Sequence, residues 1–81
     1  MEKVEFDFCK LLGRIVEKFG TRSNFAAVWG KSESVLSYKL NNKTPFTMED
    51  IFELIQPNLL DIPPEAIGVY FFTPKVRYIE L

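Results

Sequence analysis

The chain has 81 residues with one Cys and no His; 47% of it is hydrophobic, 15% aromatic, and the formal net charge is −1. A chain of this length makes one domain around a small core, burying roughly 60–65% of the surface its unfolded form exposes, and the composition is globular, not disordered. The lone Cys9 excludes an internal disulfide, no apolar run nears the ~20 residues that span a bilayer, and MEKVEFDF lacks a signal-peptide core, so a cytoplasmic protein without membrane contact is expected.

The first helix is predicted over Asp7–Phe19, because Phe8, Leu11, Leu12, Ile15, Val16 and Phe19 recur at three- and four-residue spacing. Lys10, Arg14, Glu17 and Lys18 fill its other face, Asp7 serves as its cap, and Gly20 ends it. Cys9 flanks the apolar stripe and is read as a small buried hydrophobe. A second helix, Arg22–Trp29, starts after the cap Thr21 and has Phe25, Ala26, Val28 and Trp29 as apolar positions. Gly30 turns the chain. Ser32 caps a third helix that runs to about Asn41, with Val35, Leu36 and Leu40 facing inward.

Thr47 and Asp50 resemble a capping box for a fourth helix whose expected buried residues are Met48, Ile51, Phe52, Leu54 and Ile55; Pro57 stops it near Gln56. Pro63-Pro64 opens a short fifth helix, about Pro64 to Phe71. The tail, residues 73–81, has no helical period and reads as extended.

Residues 21–43 parse as two helices around a tight glycine turn, a corner that commonly lays its second helix in the DNA major groove. Phe25, Ala26, Gly30, Leu36 and Leu40 form the core of that corner, with Ala26 small enough for a close helix crossing. The face left over is polar. Asn41, Ser32, Ser34, Ser37, Tyr38 and Glu33 carry groups suited to base edges or phosphate, while Arg22, Lys39 and Lys43 suit phosphates. Thr21 lies at the same edge. Charge is segregated in support of this: residues 10–43 hold seven Lys or Arg against two Glu, a balance of +5, whereas residues 1–9 sum to −2 and residues 44–81 to −4.

The segment resembles the helix-turn-helix of phage repressors of the Cro/cI (XRE) type. Three blocks, FDFCKLLGRIVEKFGT, SESVLSYKLNNKTPFTMEDI and IPPEAIGVYFFTPKV, make residues 5–77 similar to small repressor-like proteins of phages and prophages of Gram-positive bacteria. The resemblance implies an all-α, five-helix, lambda-repressor-like single domain with a short extended tail. It also implies sequence-specific binding of operator DNA and regulation of phage or mobile-element genes, with a recognition helix at about 33–41. Arg22 stands where such proteins carry glutamine, Lys31 where an apolar residue plugs the turn, and Tyr38 where many carry a basic residue.

A homodimer on double-stranded operator DNA is expected, since one corner reads only a few base pairs. The alternative is a protein-interaction module or antirepressor that keeps the fold without the DNA role; overall acidity and the aromatics Tyr70, Phe71, Phe72 and Tyr78 point that way. No enzyme activity, metal, cofactor or small-molecule ligand is expected: there is no histidine, phosphate loop or cysteine pair, and Glu49, Asp50 and Glu53 read as exposed helix carboxylates.

Overall fold

A computed structural model of the protein describes residues 5–75. Over the described residues the chain is all-α, with five helices: α1 Cys9–Phe19, α2 Arg22–Trp29, α3 Glu33–Leu40, α4 Met48–Leu54 and α5 Ile67–Phe71, the last preceded by a 3-10 turn, Pro64–Ala66. The core is assembled from one stripe of each helix. Leu11 and Ile15 of α1, Phe25 and Ala26 of α2, Leu36 of α3, Leu54 of α4 and Phe71 of α5 are all buried.

Helix α1 starts two residues later than its periodicity predicts. Asp7 is held in extended backbone, where its N–H donates to the Thr73 carbonyl at 2.7 Å. Its carboxylate still serves the helix by accepting the Cys9 N–H at 2.9 Å. Cys9 is exposed, not buried as expected. Seven residues separate it from Val16, which is also exposed, so the two share one azimuth at the margin of the stripe. Asp7 accepts a hydrogen bond from the Cys9 side chain and pushes the thiol above its ordinary range, while its own carboxyl is lowered.

The corner forms as its local chemistry dictates. The Thr21 hydroxyl accepts the Asn24 N–H, and the Ser32 hydroxyl accepts the Val35 N–H, each at 3.1 Å. Between the two helices Gly30 takes a left-handed conformation, φ 83°, and the N–H groups of Gly30 and Lys31 both reach the Ala26 carbonyl. Under the crossing, Phe25 stacks edge-on against Phe19 at 5.2 Å between centroids. Val35, expected inside, is 37% exposed, and Val28, one of the apolar positions of α2, is 57% exposed. The buried side chains of the two helices are Phe25, Ala26, Trp29 and Leu36.

Helix α4 has the predicted capping box, with Thr47 and Asp50 each bonding the other's backbone N–H. Asp50 is not an exposed carboxylate; it is buried. Two expected core residues of α4 are surface residues: Met48 is 88% exposed and Phe52 67%. They lie one turn apart on a second apolar stripe, while the core takes Leu54 fully and Ile51 and Ile55 partly. The helix ends at Leu54, and the chain turns back on itself so that Leu59, Leu60 and Ile62 add buried side chains that helical periodicity did not reveal. Arg14, expected on a solvated face, fastens this turn: Nε donates to the Leu60 carbonyl at 2.8 Å and Nη2 to the Asp61 carbonyl at 2.9 Å.

The two ends of the described stretch, residues 5–7 and 73–75, close against each other. Phe6 and Pro74 form an antiparallel bridge, and the Lys75 N–H donates to the Glu5 carbonyl at 3.0 Å. The extended reading of the tail holds for Pro74 and Lys75; residues 76–81, including Tyr78, lie outside the described residues. Asn42, in a left-handed conformation at φ 62°, clasps Phe6 from the other side: its Oδ1 accepts the Phe6 N–H at 2.9 Å and its Nδ2 donates to the Phe6 carbonyl at 3.0 Å. Asn42→Gly, which keeps the backbone conformation and removes the amide, is expected to lower stability by about 1–3 kcal/mol. Asn42→Ala is expected to cost about 1 kcal/mol more because of the left-handed backbone. Urea unfolding of the two variants checks both values.

Candidate functional site

Helix α3 presents its polar side as the sequence predicts, but not as a uniform ridge. Glu33, Ser34, Tyr38 and Asn41 are exposed, and Ser37 is half-buried. Asn41 folds back: its Nδ2 donates to the Ser37 carbonyl at 2.8 Å and approaches the Ser37 hydroxyl at 3.3 Å. Its side-chain oxygen accepts no hydrogen bond among the described residues. Lys43 lies with Nζ 5.8 Å from the Tyr38 ring centroid, so the two form one cationic, aromatic unit at the end of α3. Arg22 is exposed and lines a shallow notch with Leu40, Asn41 and Cys9. Thr21 and Ser32 are at the helix starts as caps. Of the corner core, Phe25, Ala26 and Leu36 are buried and Leu40 is half-buried, all arranged about Gly30.

Lys39 departs from its sequence reading as a phosphate clamp. Its ammonium sits 2.7 Å from Asp50 Oδ2 and donates to the Pro45 carbonyl at 3.0 Å, with both side chains of the ion pair nearly buried. The same Asp50 oxygen accepts the Thr47 N–H at 3.0 Å. Burial pushes the Asp50 carboxyl up, but the Lys39 hydrogen bond and charge and the Thr47 contacts outweigh it and hold the group below its ordinary range. A lysine neutralised this way adds little to the field that a polyanion meets. Lys31 keeps its charge outside, 5.8 Å over the Trp29 ring, whose Nε1–H donates to Glu53 Oε2 at 2.9 Å. Its stem thus covers the turn where an apolar plug was missing.

A second surface comes from α4 and α5. Met48, Phe52 and Phe72 are exposed large side chains, and with Ile51, Ile55 and Ile67 they line an apolar hollow of about 260 Å³. Glu49 and Glu53 flank Met48 and Phe52 along the outer side of α4. Beside it, Phe6, Phe8, Phe46, Phe71 and Phe72 surround a larger hollow of about 390 Å³ under the 42–46 loop. The rings there meet edge to face, Phe8–Phe46 at 5.1 Å and Phe46–Phe71 at 5.4 Å. Of the late aromatics, Phe71 is core, Tyr70 is half-buried and Phe72 is surface. Met48 and Phe52 were missed as surface residues because one helical stripe was assumed where α4 carries two.

Comparison with known proteins adds a family. Residues 4–74 match the model of the family described as "Protein of unknown function (DUF739)". The chain belongs to this family. Among solved structures it is similar to the solution structure of the modulator of repression (MOR) of the temperate bacteriophage TP901-1 from Lactococcus lactis, with 40% identity and a TM-score of 0.73 over 89% of this chain and 95% of that one. No curated protein matches the chain. The MOR protein is a phage protein, in line with the phage association that the resemblance drawn from the sequence implies. No helix among the described residues is long and apolar enough to cross a membrane, and none of them form a group of metal-ligating side chains.

The Lys39–Asp50 pair makes a direct prediction. Lys39→Met leaves Asp50 buried beside no cation and is expected to cost about 3 kcal/mol, only part of it recovered in the Lys39→Met/Asp50→Leu double variant, which also opens the capping box of α4. Because the folded carboxyl is lowered, its contribution is present above the unfolded value and is lost as pH falls through the folded one. Thermal melts of wild type should therefore weaken on acidification below the ordinary aspartate range by more than those of the double variant.

Proposed function

We propose that the protein is a modulator of phage or prophage gene regulation in the bacterial cytoplasm, acting through contact with a partner regulatory protein. One observation carries this reading: the apolar face of Met48, Phe52 and Phe72, too exposed to serve the protein's own core. The acidic fringe of Glu49 and Glu53 suits a basic partner such as a DNA-binding repressor. The printed role of the MOR protein, modulation of repression, supports the same reading. Withdrawal of Lys39 into an ion pair removes one of the cations on which the DNA reading rested.

A second reading is supported by α3. Ser34, Tyr38 and the side-chain oxygen of Asn41 remain accessible, with Arg22, Lys31 and Lys43 as exposed cations around them. On this reading a homodimer lays α3 of each subunit in the major groove of an operator.

The two separate in one experiment. The protein is titrated into a phage repressor bound to its operator, and alone into the same DNA at two salt concentrations. Protein contact predicts a changed repressor occupancy that Phe52→Asp abolishes, and no sequence-preferring shift by the protein alone. DNA binding predicts a shift by the protein alone, with a salt slope reduced by up to about one for each of Arg22→Ala, Lys31→Ala and Lys43→Ala. Unchanged repressor occupancy at saturating protein rejects the first reading.

A further inference from the structure

The two hollows of the second surface adjoin. The one between α4 and α5 and the one under the 42–46 loop share Ile51 and Phe72 in their linings, so the pair makes one groove divided at these side chains. The ends of the groove differ in sign. Lys43 lines one end, its charge resting on the Tyr38 ring and in no ion pair among the described residues; Lys39, nearby, is already neutralised by Asp50. Glu49 and Glu53 stand beside Met48 and Phe52 on the outer rim of the other hollow, where one oxygen of Glu53 accepts the Trp29 indole N–H.

The walls are side chains of two helices and a loop. Phe6, the bridged residue at the groove, has its N–H and carbonyl occupied by the Asn42 amide. An extended peptide would therefore find no backbone ladder to join. A helix needs none, because its own backbone is satisfied and it presents only a stripe of side chains.

Resting on the protein-contact reading, we propose that this groove seats an amphipathic helix of the partner protein. The acidic end of that helix meets Lys43, and its basic end meets Glu49 and Glu53. Ring edges of Phe8, Phe46 and Phe72 and the branched chains of Ile51, Ile55 and Ile67 take its apolar stripe.

The test uses a synthetic helical peptide of about four turns, with Leu at three- and four-residue spacing, Glu at one end and Lys at the other. A nitroxide is placed at either end, and the full-length protein is observed by amide NMR. The acidic-end label should broaden amides of residues 43–46, and the basic-end label those of 48–53. Lys43→Glu should weaken binding several-fold. Phe52→Asp should abolish it while amide dispersion and the α3 signals stay as in wild type. No saturable binding at about 1 mM peptide, or equal broadening of both ends by both labels, overturns the proposal. So does sedimentation as a dimer that Phe52→Asp dissociates, which would make the groove a contact between copies of this chain. If the peptide fails while repressor occupancy still responds to the protein, the helix proposal falls and the protein-contact reading stands.

Discussion

The architecture turns on a single buried charge pair. Asp50 closes the capping box of α4 and at the same time receives the ammonium of Lys39 from the last turn of α3. One carboxylate thus completes one helix and anchors another. The 42–46 loop is held between them, since Lys39 also donates to the Pro45 carbonyl. With that loop placed, Phe46 can pack between Phe8 and Phe71, and Asn42 can reach Phe6. The groove under the loop exists because these groups are fixed together. A pair of this kind need not add much net stability, but losing one partner is costly.

Much of the fold was readable from local chemistry. Thr21, Gly30, Ser32 and the Thr47–Asp50 box depend only on neighbours a few residues away, and each stands where the sequence placed it. Pairings over long separations were not readable. Arg14 to Leu60, Lys39 to Asp50 and Asn42 to Phe6 join residues whose identities alone look like ordinary surface polarity. Periodicity also misled in one consistent way. It marks apolar positions without saying which stripe the rest of the chain covers, and so Val35, Met48 and Phe52 were taken inside when the core is filled by Leu59, Leu60 and Ile62.

The same distinction divides the two candidate surfaces. The corner around Gly30 was legible because its geometry is written in a short segment. The groove was not, because it is built from the N-terminal segment, a loop and two helices far apart in sequence. Acidic and apolar on one side, with cations gathered about α3 on the other, the protein offers two chemically different faces from one small core. The proposed role assigns the partner to the first face, on the strength of side chains that folding alone leaves uncovered.

The Asn42 clasp has a consequence for how copies of the protein can meet. Glu5 and Asp7 are engaged with the returning chain at Thr73 and Lys75, and Phe6 between them is satisfied by the Asn42 amide. The N–H and carbonyl of Phe6 are thus taken, and at that residue the segment offers no ladder on which neighbouring chains could grow. A short side chain acts as a terminator of β-propagation there, leaving self-association to complementary side-chain surfaces, where it can be reversible.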